Sequence, residues 1–225
     1  MTETAPALLA ELAALEDPRM RAVNERHGDD HGVNLSALRG IAKRVKRNPE
    51  LARELWATGD TAARLLGILL TAPRDWSVEE LDAMLHEARA PKVLDWLTNY
   101  LAIKHQDSER LRALWLGDPA DEVAAAGWEL TADRVQRSPG GLDLDALLDT
   151  IEAEMATAPS RTQWSMNKTL AHLGIHHPQL RDRALAIGER LGVLKDYPTP
   201  PNCTSPYAPA WIGEIVKRME AGAAR

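Results

Sequence analysis

The sequence predicts an all-α fold, an α-solenoid of stacked antiparallel helix pairs forming an α-α superhelix. Three observations predict it. Apolar residues recur at helical spacing from one end of the chain to the other. Residues that start and stop helices punctuate those stretches. A pattern spanning four helices occurs twice. No segment alternates apolar and polar residues with the period of two that a strand needs.

The helical stretches follow in order. After Pro6, residues Leu8, Leu9, Leu12 and Leu15 form one apolar stripe, and Pro18 opens a second, short helix to about Glu25. His27–Val33 reads as a loop; Asn34 caps a helix striped by Leu38, Ile41, Ala42 and Val45. Pro49 starts the next, which ends at Gly59, and Asp60 caps Thr61–Leu70. Ser77 and Glu80 have capping-box spacing. Pro91 begins a helix carrying Val93, Leu94, Leu97, Leu101 and Ile103. Helices are expected around 109–116, 122–135 and 144–155, then from a Ser160 cap to about Leu173, then over 179–191 after Pro178. Residues 194–209, rich in Pro, form a stiff loop, read as a structural cap over the last repeat with a binding role as the alternative, and a final helix covers about 210–220. The expectation is one domain over residues 1–225 with about 11–12 helices.

Composition narrows the function classes. Of 225 residues, 44% are hydrophobic and 27% charged, as in globular chains, with seven Trp, three Tyr and no Phe. Leu and Ala must fill the core. Cys203 is the lone cysteine, so neither an intrachain disulfide nor a cysteine metal site can form, and a cytoplasmic location is expected. No apolar stretch approaches the roughly 18 residues that span a bilayer, and residues 1–6 lack the pattern of a signal peptide. No membrane role, no cofactor and a monomer are expected. The net charge of −6 is not that of a global polyanion binder. Charge is uneven, however: residues 35–54 hold Arg39, Lys43, Arg44, Lys46, Arg47 and Arg53 against Glu50 and Glu54 alone. Phosphate binding needs local positive charge, although a solvated helix face reads the same way.

The internal repeat pairs Leu55-Trp56-Ala57-Thr58-Gly59-Asp60 with Leu114-Trp115-Leu116-Gly117-Asp118. Each precedes an Ala-rich helix and a loop. Then come Leu81-Asp82-Ala83-Met84-Leu85 and Leu144-Asp145-Ala146-Leu147-Leu148. The offset is about 60 residues, two helix pairs. One pair cannot bury its own faces, so neighbours must stack.

Gly32-Val33-Asn34, Leu38-Arg39, Ile41-Ala42-Lys43, Leu55-Trp56 and Ala62-Ala63-Arg64-Leu65-Leu66 resemble the HEAT-like repeat DNA alkylation repair family, the superfamily of alkylpurine DNA glycosylases. Cys203–Ile212 resembles the C-terminal segment of one branch, and the resemblance runs from about Arg21 to Trp211. It implies a C-shaped solenoid holding double-stranded DNA, damaged or branched, on a concave basic face. It also implies an N-glycosylase that releases cationic N3- and N7-alkylpurines, with a carboxylate stabilising the positive charge that grows on the sugar and aromatic faces against the lesion.

The family's catalytic helix carries a Trp and, four residues on, an Asp. In Pro91–Tyr100 one register places Leu94 and Thr98 there, another Trp96 and Tyr100; Asp95 is the only acid. The family's next Arg is missing from Val123–Trp128, and a later Lys-then-Trp becomes Lys168 and His172. The resemblance therefore implies a branch that departs from the usual catalytic residues. Asp95 is the candidate carboxylate. Lys43, Arg44, Arg47, Lys92 and Lys168 are candidate phosphate contacts. Trp96, Tyr100, Trp164 and His172 are candidates for lining the DNA face. Core packing is the other reading for the tryptophans, and a partly protonated imidazole near a helix C-terminus is the reading for His172. No histidine has a carboxylate at metal-ligand spacing. The alternatives to a glycosylase are a non-catalytic binder of DNA structures on the same scaffold and a protein-interaction scaffold.

Overall fold

The computed structural model describes residues 3–223, which form thirteen α-helices and no strand. The chain folds into two compact units, Met1–Ser108 and Glu109–Arg225. The first contains α1 (Ala5–Ala14), α2 (Pro18–Glu25), α3 (Leu35–Val45), α4 (Pro49–Ala57), α5 (Thr61–Leu69), α6 (Val78–Glu87) and α7 (Pro91–Trp96). The second follows with α8 (Ser108–Trp115), α9 (Asp121–Arg137), α10 (Leu144–Glu154), α11 (Ser160–His176), α12 (Arg181–Leu191) and α13 (Ala208–Ala223).

Thirteen helices slightly exceed the expected 11–12, and side-chain caps start most of the short ones. Thr4, Asp17, Asn34, Asn48, Asp60, Ser77 and Asp143 all accept from a backbone N–H of the first turn. Ser77 and Glu80 do form the expected capping box. Ser160 does not cap α11. Instead the Asp121 carboxylate accepts from the N–H groups of Arg161 and Thr162, so α9 supplies the cap for its partner helix. Pro178–Leu180 forms a 3-10 turn before α12, and α13 starts at Ala208 rather than 210.

In the first unit α5 is the central helix. Thr61 through Ile68 are all buried, against α3, α4 and α7. In the second unit α11 is central and packs on α9, α10, α12 and α13. Two glycines allow close helix approaches at matching places. A Cβ on Gly67 would lie 3.1 Å from the Ala52 carbonyl oxygen, and one on Gly127 would lie 2.7 Å from the Leu116 nitrogen. They stand 60 residues apart at matching places in α5 and α9, so the repeat seen in the sequence is also a repeat of packing.

The helix opened by Pro91 changes pitch. After Trp96 the chain runs as a π-helix over Leu97–Ala102, and the Ile103 N–H donates to the Thr98 carbonyl at 3.0 Å. Such turns hold one residue more than an α turn and are frequent at functional sites.

Candidate nucleic-acid interface

The basic stretch of α3 and α4 is less free than a local count of charges suggests. Arg44 pairs with Glu3 at 3.1 Å and with Glu11 at 2.5 Å, both brought by α1 and its N-terminal flank. The Arg44 guanidinium in turn holds the Glu11 carboxyl below its ordinary range. Arg47 grips Asp75 with two N–H groups, and Arg53 pairs with Glu80 at 2.9 Å. These acids lie outside residues 35–54, so the sequence window missed them. Arg39, Lys43 and Lys46 have no acidic partner among the described residues.

A row of alternating chemistry lies on the next helix. Lys92, Trp96, Tyr100 and Lys104 follow one another at four-residue steps. A four-residue step overshoots the 3.6-residue α turn and undershoots the wider π turn. The change of pitch at Leu97 therefore offsets the drift, and the row stays aligned. Trp96 and Tyr100 stack with ring centroids 5.2 Å apart and planes 28° apart. The Arg39 guanidinium from α3 lies 5.4 Å from the Trp96 ring, and the Lys104 ammonium 5.5 Å from the Tyr100 ring. An aromatic pair thus stands between two cations, each drawn to a ring face. Lys43 is one turn beyond Arg39 on the same side of α3. The buried Asp29 carboxylate accepts from the Lys92 N–H at 2.8 Å and anchors the start of the helix. Asp95 projects an exposed carboxylate beside this row. Leu94 and Thr98, the other register for the Trp and Asp of a glycosylase, are only 3% and 4% exposed.

In the second unit the corresponding helix is α11. Element order aligns α4–α7 with α8–α11, which sets Trp96 and Trp164 at like places near the helix start. Trp164, Lys168 and His172 form a row at four-residue steps. The Tyr197 ring meets Trp164 edge-on at 5.2 Å, and the Trp211 ring meets His172 edge-on at 6.0 Å. Lys168 is held by Glu129 at 2.5 Å, and the Ser165 hydroxyl donates to the same carboxylate at 3.0 Å. His172 is not the partly protonated imidazole expected. Burial, reinforced by the charge of Lys168, pushes its pKa from 6.5 down to about 4, so the ring is neutral at pH 7. The loop 194–209 is pinned to this unit. Asn167 donates through Nδ2 to the Pro206 carbonyl at 2.8 Å, and Pro209 packs against Gly188.

Sequence reading left Arg39, Lys104, Tyr197 and Glu129 out of the site. The four-residue spacing from Lys92 to Lys104 was a visible signal for Lys104. Arg39, Tyr197 and Glu129 come from other elements, and only packing brings them in. Among the described residues no cluster of His, Cys, Asp or Glu could hold a metal ion, and no helix is long and apolar enough to cross a membrane.

Comparison with known proteins gives a consistent picture. A family model described as "DNA alkylation repair enzyme" matches residues 8–212. The uncharacterized protein Lin0241 of Listeria innocua is 25% identical over 219 residues, covering 93% of this chain and 96% of its own. The uncharacterized protein Lmo0209 of Listeria monocytogenes is 25% identical over 220 residues, with the same coverage. One solved structure superposes with a TM-score of 0.77 at 22% identity, covering 98% of this chain and 95% of that one. It is described as "a new family of proteins related to the HEAT-like repeat DNA glycosylases with affinity for branched DNA structures". The likeness establishes the HEAT-like repeat fold.

Proposed function

Since the chain belongs to the DNA alkylation repair enzyme family, we propose that it binds branched or otherwise distorted DNA. The contact surface in the first unit is Lys92, Tyr100 and Lys104 with Arg39 and Lys43 beside them, and the Trp96 ring, only 7% exposed, backs Tyr100 from within the core. The observation that carries this reading is the stacked aromatic pair between two cations that have no acidic partner among the described residues. Cations take the phosphates, and releasing their counterions makes the affinity fall with salt. The affinity of a structurally similar protein for branched DNA points the same way. Arg44, Arg47 and Lys168, each committed to a carboxylate, serve the scaffold first.

Binding is favoured over base excision because neither register supplies the family's Trp-then-Asp pair: Leu94 and Thr98 are buried and uncharged, and Trp96 is followed by Tyr100. The same proposal has the chain act as a monomer, as one domain, in the cytoplasm.

The test is a titration of a four-way junction and a linear duplex against the unaltered protein and Arg39→Glu/Lys43→Glu/Lys104→Glu. The unaltered protein should bind the junction more tightly than the duplex. The triple variant should lose affinity for both and show a flatter salt dependence. Equal binding by the two proteins would discard this surface. Release of 7-methylguanine or 3-methyladenine from methylated DNA is expected to stay at background; release above it would restore the excision reading.

A further inference from the structure

Trp164 and Tyr197 are a second, more open aromatic site. Every other tryptophan is more covered than Trp164, which is 38% exposed, and Tyr197 is 48% exposed. The two rings touch, edge to face, so two large apolar surfaces meet at the boundary with water instead of inside the fold. Their positions are fixed from beneath. Trp164 stands on α11, whose neighbours Thr162, Ser165 and Met166 are buried, and Tyr197 lies in a turn where its N–H donates to the Leu194 carbonyl. Arg161 lies one turn before Trp164 on α11 and Lys168 one turn after it. The chemistry therefore runs cation, open aromatic pair, cation along one helix face. Lys168 is shared with Glu129, but the Arg161 guanidinium, unlike its backbone N–H, has no acidic partner among the described residues. An occupant that matches this pattern has flat π faces and phosphates on either side, which is an unpaired nucleotide.

We infer that Trp164 and Tyr197 stack an unpaired base at the branch point of a DNA junction, and so supply the preference for branched over linear DNA. The inference rests on the DNA-binding reading above and deepens it. A linear duplex keeps its bases inside the stack, whereas a branch point exposes them, and aromatic faces accept any base without reading its sequence.

The experiment compares the unaltered protein, Trp164→Ala/Tyr197→Ala and Trp164→Phe. Each is titrated with a linear duplex and with a forked junction carrying 2-aminopurine unpaired at the branch point. The double variant is expected to lose roughly five- to a hundredfold of its junction affinity, the range that one stacked base contributes, while its duplex affinity stays unchanged. The 2-aminopurine fluorescence, quenched on binding the unaltered protein and Trp164→Phe, should not be quenched by the double variant. Both side chains are exposed, so the melting temperature should hardly move. Unchanged junction affinity in the double variant overturns the inference alone, as does an equal loss for junction and duplex. A dimer in light scattering that the double variant dissolves would assign the patch to a second copy of the chain and also overturn it. If the unaltered protein binds no DNA even at low salt, the inference and the DNA-binding reading fall together.

Discussion

His172 shares a row with Trp164 and Lys168, yet its surroundings leave it neutral. Its folded pKa of about 4 lies below the ordinary 6.5, so the unfolded chain takes up the proton first as the pH falls. The stability this provides is complete above pH 6.5 and is lost between 6.5 and about 4. His172→Gln removes the titration. Its urea-unfolding free energy should fall by about 1–2 kcal/mol less than that of the unaltered protein between pH 7 and pH 4, after discounting a full shift for the ring's remaining contact with water. Arg47 poses the opposite problem, because its partner Asp75 has a side chain only 4% exposed. Arg47→Ala leaves that carboxylate with the Ala72 N–H and only the weaker attraction of Arg74. A loss of stability in the same measurement is expected, and an unchanged unfolding midpoint would show that the pair adds nothing to the fold.

Helices in this protein meet through small residues and caps lent between neighbours. The close approaches at Gly67 and Gly127 give a graded prediction. Alanine raises helix propensity by about 1 kcal/mol at either position. At Gly67 the nearest atom, 3.1 Å away, leaves room for a small adjustment, so Gly67→Ala should be close to neutral. At Gly127 the new methyl group would meet the backbone of Trp115 and Leu116 at 2.8 and 2.7 Å. Gly127→Ala should cost about 1–3 kcal/mol net in urea unfolding. If the two substitutions cost the same, the close approach in the second unit is no tighter than that in the first. The π turn at Leu97–Ala102 belongs to this scale too. It trades regular α bonding for a straight row of Lys92, Trp96, Tyr100 and Lys104.

For the whole molecule the net charge of −6 repels a polyanion at long range, so any attraction must be local. Four unshared cations, Arg39, Lys43, Lys92 and Lys104, sit on or beside one row. If all four meet phosphates, the logarithm of the junction binding constant should fall with the logarithm of salt concentration at a slope of about −3 to −4. Each charge reversal among them should remove about one unit of that slope. A slope near zero in the unaltered protein would remove phosphate contact as the basis of binding.

The sequence by itself determined the all-α fold, the order of the helices, the capping box at Ser77 and the repeat. All of these depend on residues a few positions apart, where spacing and caps act directly. It named Trp96, Tyr100 and Trp164 as candidates only through the family resemblance, with core packing open as the other reading for the tryptophans. Only tertiary structure decided which charges are spent. Arg44, Arg47 and Lys168 meet Glu3, Glu11, Asp75 and Glu129, which lie 28 to 41 positions away in the chain. The pitch change after Trp96, the neutral state of His172 and the Asp121 cap on α11 were hidden for the same reason. Coulomb and desolvation energies depend on distance in space, and packing places together groups that the sequence keeps apart.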